Sequence, residues 1–77
     1  MTSPQLRWMV FSVASQWPGA IEALVETLEN LEGVSLARYY PDTDMIYLAY
    51  RAGQVNRSNV EAMAQGLDVK IGRSYPG

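Results

Sequence analysis

Residues 18–34 read P-G-A-I-E-A-L-V-E-T-L-E-N-L-E-G-V, and this stretch decides the fold. Its branched apolar residues recur at helical spacing; they are Ile21, Leu24, Val25, Leu28 and Leu31. A single apolar stripe at this period predicts an amphipathic helix over about residues 18–32. Pro18 suits the first helical position, because its missing N–H would lack a partner there in any case. Gly33 supplies the left-handed residue that commonly follows a helix.

Segments typical of strands surround this helix. Residues 7–13 (R-W-M-V-F-S-V), 34–40 (V-S-L-A-R-Y-Y) and 45–50 (M-I-Y-L-A-Y) are rich in aromatic and β-branched types. The turn P-D-T-D at 41–44 joins the last two as a hairpin. A second helix is expected next, capped by Asn56 or by a Ser58–Glu61 capping box and ended by Gly66. Residues 67–71 alternate as a fourth strand, and residues 74–77 form a tail.

The order β-α-β-β-α-β predicts an α+β, ferredoxin-like sandwich. We expect a four-stranded antiparallel sheet of order 4-1-3-2 with both helices on one face, because right-handed crossovers place them on the same side. One domain is expected over residues 1–77, with a core at about 7–72 and flexible ends. The predicted buried positions are Val10 or Phe11, Leu24, Leu28, Leu31, Leu36, Ile46, Leu48, Met63, Val69 and Ile71.

Composition excludes several classes of function. The 77 residues include 8 acidic and 6 basic side chains, for a net charge of −2, and no cysteine or histidine. Disulfides, structural zinc sites, cysteine nucleophiles and histidine-based triads are therefore excluded. No nucleophile–base pair is evident, so we predict a protein that is not an enzyme and has no cofactor. The longest nearly apolar run, residues 8–14, is far shorter than the ~20 residues of a membrane span, which indicates a cytoplasmic protein without membrane insertion.

The first helix carries an unusual run of acidic residues. Glu22, Glu26, Glu29 and Glu32 follow one side of it, and no lysine or arginine occurs between Trp8 and Ala37. A solvated helix face normally mixes both signs of charge. Two interpretations follow: a face that serves solubility, or a docking surface for a protein partner with a basic surface.

Aromatic residues on the strands suggest a second surface. Trp8, Tyr39 and Tyr47 would lie on the open face of the sheet if Phe11, Ile46 and Leu48 point inward. Such a face is typical of RRM modules, which stack single-stranded nucleic acid on aromatics. The basic-glycine-aromatic RNP1 pattern is absent and the net charge disfavours nucleic acid. Contact with a protein, including a homo-oligomer through the open face or a sheet edge, is the other interpretation.

Four segments together resemble the heavy-metal-associated domain. They are A-L-V-E-T-L-E-N-L-E-G-V (23–34), I-Y-L-A-Y (46–50), R-A-G-Q-V-N (51–56) and G-L-D-V-K-I (66–71). This is the domain of small copper chaperones and of the N-terminal modules of metal-transporting P-type ATPases. Its M-x-C-x-x-C motif lies on the loop before the first helix. Aligned on Gly33, the motif's methionine falls at Ser15 and its cysteines at Trp17 and Ala20, so the resemblance implies the scaffold without its soft-metal ligands.

The resemblance also implies where a partner would dock. The family uses its first helix and the preceding loop, which here correspond to Trp17, Gly19, Ala20, Glu22, Glu26 and Glu29. We therefore predict a small interaction domain with a degenerate metal site that binds a protein partner. The alternatives are an accessory role in metal homeostasis with an unorthodox metal role, or RRM-like binding of single-stranded nucleic acid. Asp42 and Asp44 are interpreted as turn-forming residues on a solvated loop, with a weak metal site as the other interpretation. Trp17 either folds over the helix start or anchors the partner.

Overall fold

The computed structural model of the chain describes residues 5–75. Its elements are β1 (Leu6–Ser15), α1 (Ala20–Glu29), β2 (Val34–Tyr40), β3 (Met45–Arg51), α2 (Arg57–Gly66) and β4 (Val69–Tyr75). All strand pairs are antiparallel and form one sheet of order β2-β3-β1-β4, which confirms the predicted ferredoxin-like fold. Within this range neither helix has the length and apolar character that a bilayer span needs.

The core lies between the helices and one face of the sheet. The register pairs Met9 with Leu48 and Phe11 with Ile46 across the two central strands, so these side chains share one face. Leu24 and Leu28 of α1 are fully buried against the same cluster, and Phe11 is 1% exposed. Of the two alternatives on β1, Phe11 is therefore the core residue, since successive side chains alternate. Each such burial stabilises the fold by about 1.5–3 kcal/mol.

A β-bulge in β2 changes which residues face the core. The β2–β3 register shifts between Val34 and Leu36, which adds one residue to β2. Leu36 consequently faces away from the helices and is 37% exposed, while Ala37 takes the core position opposite Leu48. The prediction that Leu36 is buried is wrong, because regular alternation does not reveal a bulge. Three other predicted core residues pack against the core but are only partly buried: Leu31, Met63 and Ile71.

The start and end of α1 differ from the prediction. The helix begins at Ala20 rather than Pro18, because Gly19 is its N-cap in a left-handed conformation with φ 82°. It ends at Glu29, and Gly33, with φ 96°, lies in the turn before β2. A Cβ on Gly33 would lie 2.8 Å from the Gln54 Cβ, so both the backbone conformation and the space favour glycine.

The remaining boundaries follow local hydrogen bonds. Asn56 caps α2 through a reciprocal capping box with Asn59, at 3.0 and 3.1 Å, so the alternative Ser58–Glu61 box is not used. Glu61 instead pairs with Arg57 at 2.8 Å. Leu67 is the C-cap of α2 rather than a strand residue. β4 extends through residues 74–75 of the predicted tail, and the rest of the tail and the predicted flexible end at 1–4 lie outside the described residues.

Candidate functional site

The loop between β1 and α1 presents Trp17 at the surface. We call residues 15–19 the site loop. The Trp17 side chain is 60% exposed, so it does not fold over the helix start. Its indole Nε1 donates a hydrogen bond to Asp68 Oδ2, and its backbone N–H donates to Ser15 Oγ at 3.2 Å. The indole is therefore held in place while most of its surface faces solvent.

Asp68 ties the site loop to the start of β4. Its backbone is left-handed, with φ 60°, and its carbonyl accepts a hydrogen bond from Ser15 Oγ at 3.2 Å. Aspartate tolerates this conformation better than most residues. Ser15 is also the β-ladder partner of Val69, the residue after Asp68. Three hydrogen bonds among Ser15, Trp17 and Asp68 thus fix the loop. The sequence did not indicate a role for Asp68, because it lies 51 residues from Trp17.

The predicted docking residues occupy one end and one side of α1. Gly19 and the three carboxylates of Glu22, Glu26 and Glu29 are exposed, and we call these three the acidic stripe. Ala20 differs, since it is half-buried and packs against the core. Spacings of four and three residues keep the stripe on one side of a helix about 15 Å long.

The acidic stripe has no cationic partner within residues 5–75. The ion pair found there joins Arg57 and Glu61 on α2. No basic residue lies in the last turn of α1, where a cation would interact favourably with the helix dipole. The stripe therefore presents uncompensated negative charge beside the site loop. A groove of about 340 Å³ borders the loop on the sheet side and is lined by Ala14, Ser15, Gln16, Asp68 and Lys70.

The donors at the loop do not fit a soft metal ion. Ser15, Trp17 and Ala20 stand where the resembling family has methionine and two cysteines, and the chain has no cysteine or histidine. The oxygens present, from Ser15 and Asp68, are hard donors that already take part in hydrogen bonds. Cu(I) prefers thiolate and thioether sulfur. No group of three or more metal-ligating side chains forms within residues 5–75.

Asp44, interpreted from the sequence as a turn residue with a weak metal site as the alternative, has a tyrosine as its side-chain partner. Tyr39 Oη donates a hydrogen bond to Asp44 Oδ1 at 2.7 Å. This bond, together with desolvation and the nearby negative charge, raises the pKa of Tyr39 above its ordinary value of 10.0. Tyr39 pairs with Ile46 on the core side of the sheet, so its predicted place on the open face is wrong. The β2 bulge is the cause, because it shifts every following residue by one position.

Trp8 and Tyr47 do lie on the open face, as predicted. They are 52% and 39% exposed, and Tyr40 rather than Tyr39 joins them. The rings of Tyr40 and Tyr47 meet edge to face, with centroids 5.0 Å apart and an interplanar angle of 79°. Such T-shaped contacts are a favourable arrangement of aromatic rings.

The fold is similar to that of several solved copper-binding domains. No protein-family model and no curated protein matches the sequence. One similar structure is the N-terminal domain of a potential copper-translocating P-type ATPase from Bacillus subtilis in its Cu(I)-loaded state. It superposes with a TM-score of 0.78 at 15% identity, and the match covers 87% of this chain and 85% of that domain. The CopZ metallochaperone superposes with a TM-score of 0.71 at 14% identity, and the match covers 88% of this chain and 100% of CopZ. A copper-binding domain from the P-type ATPase HMA7 superposes with a TM-score of 0.69 at 12% identity, and the match covers 90% of this chain and 97% of that domain.

These comparisons confirm the predicted resemblance at the level of fold. The chain has the ferredoxin-like fold of heavy-metal-associated copper-binding domains and contains none of the cysteines that the family's motif requires.

Proposed function

We propose that this domain is a non-enzymatic interaction module that docks a protein partner with a basic surface through the site loop and α1. The contact residues are Trp17, Gly19, Ala20, Glu22, Glu26 and Glu29, and the expected compartment is the cytoplasm. The observation that carries the proposal is that Trp17 is 60% exposed yet held by hydrogen bonds. The domain would then keep the scaffold of its structural neighbours without metal ligation.

The tether of Trp17 is what supports a binding role for it. An exposed indole is costly in water, and tryptophan is enriched among the residues that dominate binding energy at interfaces. Hydrogen bonds to Asp68 and Ser15 reduce the entropy that Trp17 would lose on binding a partner. A tryptophan needed only for stability would be expected to bury its ring in the core.

The acidic stripe supports the stated chemistry of the partner. Its three carboxylates are exposed and have no ion-pair partner within residues 5–75. A cluster of one sign accelerates association with an oppositely charged surface and disfavours partners of like charge. A partner carrying lysine or arginine beside an apolar pocket would match both the stripe and Trp17.

Affinity capture with a matched pair of charge reversals tests this proposal. Glu26→Lys changes the acidic stripe, whereas Glu61→Lys changes the net charge equally on the exposed side of α2. The immobilised wild-type domain and Glu61→Lys should retain a basic-surfaced protein from an extract of the source organism, and Glu26→Lys should lose it. With the isolated partner, Glu26→Lys should slow association and flatten its salt dependence. Equal capture by both variants would contradict the proposal.

A further inference from the structure

The face of the sheet opposite the helices is apolar at its centre. The register places Trp8, Ala49 and Leu36 in one row across β1, β3 and β2, and Val10 and Tyr47 in the next row. Trp8 is 52% exposed and Leu36 is 37% exposed. We call this side the open face.

Charge on the open face has one sign. Arg38 is the β-ladder partner of Tyr47, and Arg51 is the partner of Leu6, so two arginines border the apolar rows. Lys70 lies opposite Ala14 on the same side. None of the described residues that take open-face positions on the four strands is acidic. The net charge of −2 therefore conceals a partial separation, with the acidic stripe along α1 and Arg38, Arg51 and Lys70 on the opposite face of the sheet.

From this combination we infer that the open face binds an amphipathic helix with acidic flanks, supplied by another protein. A helix packs on a flat sheet face through an apolar stripe, as α1 and α2 already do on the other side. Leu36, Val10 and Trp8 would contact that stripe, and carboxylates flanking it would meet Arg38 and Arg51. Tryptophan, tyrosine and arginine are the residue types enriched at binding hot spots. This inference is independent of the proposed function, because it uses the opposite surface.

Other occupants fit the face less well. Two copies joined symmetrically would bring Arg38 and Arg51 toward a second set of arginines with no carboxylate between them. The α1 helix of a second copy cannot supply the apolar stripe, since its Leu24 and Leu28 are fully buried in their own core.

Single-stranded nucleic acid is the remaining alternative. It would need bases stacked on exposed rings, but Tyr40 and Tyr47 contact each other edge to face, and the neighbours of Trp8 in its row are Ala49 and Leu36 rather than a second ring. Three cations also offer few phosphate contacts on a protein of net negative charge.

The two tryptophans allow each surface to be followed separately. Trp17→Phe leaves Trp8 as the single fluorescent indole, and Trp8→Phe leaves Trp17. The probe is a synthetic peptide of about 15 residues, a helix about 22 Å long, with leucines at helical spacing flanked by glutamates. It is long enough to cross four strands, whose outer pair are about 14 Å apart. The matched probe has lysine in place of each glutamate.

We expect the acidic peptide to shift the Trp8 emission to the blue and to leave the Trp17 emission unchanged. The lysine peptide should bind at least about tenfold more weakly, and Arg38→Glu should reverse that preference. Arg51→Glu provides a second exposed site for the same reversal, and circular dichroism checks that both variants are folded.

Several results would overturn the inference. These are no Trp8 shift with the acidic peptide, equal binding of the two peptides, or a preference that survives both arginine reversals. A wild-type dimer in sedimentation that Trp8→Ala abolishes would assign the face to a second copy. Quenching of Trp8 by an oligouridylate, with the peptide silent, would assign it to nucleic acid.

Discussion

The tether between Trp17 and Asp68 makes a quantitative prediction. Asp68→Gly removes the carboxylate that accepts the indole N–H, and glycine also tolerates the left-handed backbone at this position, where φ is 60°. Losing the hydrogen bond costs about 0.5–1.5 kcal/mol, whereas relieving the left-handed residue returns up to about 1 kcal/mol. We therefore expect the free energy of unfolding of Asp68→Gly to lie between about 0.5 kcal/mol above and about 1.5 kcal/mol below that of the wild type.

A double-mutant cycle separates these two opposing effects. Trp17→Phe keeps an aromatic ring but removes the indole N–H. It should destabilise the wild type by about 0.5–1.5 kcal/mol more than it destabilises Asp68→Gly, since in that background the bond is already absent. Urea unfolding followed by circular dichroism measures the four free energies of unfolding. In a Trp8→Phe background, the fluorescence anisotropy of Trp17 should fall when Asp68 is replaced by glycine.

Additive effects of Trp17→Phe and Asp68→Gly on the free energy of unfolding would refute this reasoning. A coupling free energy below about 0.3 kcal/mol lies within the scatter of independent sites. Together with an unchanged Trp17 anisotropy, it would mean that Asp68 does not hold the indole in solution. Trp17 could then not be described as a preorganised anchor.

Gly33→Ala should destabilise the fold by about 2–4 kcal/mol, because a side chain strains the backbone at φ 96° and would clash with Gln54. Gly66→Ala within α2 should instead stabilise the fold by up to about 1 kcal/mol, since alanine favours the helix and has space there. Thermal unfolding compares the two variants. Tyr39 should ionise above pH 10.0 in an absorbance titration and lose this shift in Asp44→Asn. Because its pKa is raised in the folded state, its contribution to stability is present below pH 10.0 and is lost as the pH rises through the folded-state pKa. Anaerobic titration should show no Cu(I) binding tighter than roughly micromolar, and stoichiometric binding in that range would contradict the account of the donors.

The fold could be predicted because burial leaves a periodic record in the sequence. The apolar residues at helical spacing, from Ile21 to Leu31, predicted α1, and the order of helices and strands predicted the sheet topology. The sequence could not decide whether Phe11 or Val10 faces the core, since both sets of alternate residues on β1 are mostly apolar. The pairing of Phe11 with Ile46 decides it, and that information lies in the register of two strands.

The errors in β2 have a single physical cause. One extra residue between Val34 and Leu36 moves Leu36 and Tyr40 to the open face and brings Ala37 and Tyr39 to the core side. Bulges carry little sequence signal unless glycine marks them, and this one has none. A strand assigned by alternation alone therefore had the wrong face from Leu36 onward.

The candidate site was predictable in position but not in geometry. Spacing from Gly33 placed Trp17 on the loop before α1, and the charge run identified the carboxylates of the helix. The contact with Asp68 crosses 51 residues and depends on where β4 starts beside β1, so no local pattern indicates it. The sequence showed part of the charge separation, since residues 8–37 contain four acidic and no basic side chains. It did not place Arg38, Arg51 and Lys70 on one face of the sheet, because that depends on strand register.

The most direct test of the central claim is the affinity of the captured partner for Trp17→Ala relative to the wild-type domain. The Kd should rise by about 30-fold or more, the loss expected of an interface hot spot. The melting temperature should fall by no more than the roughly 6–12 °C that corresponds to about 1.5 kcal/mol in a domain of this size, the upper limit for the lost indole hydrogen bond, since the ring is 60% exposed. An unchanged Kd, or a loss of affinity explained entirely by unfolding, would contradict the claim that Trp17 is an anchor held ready at the surface.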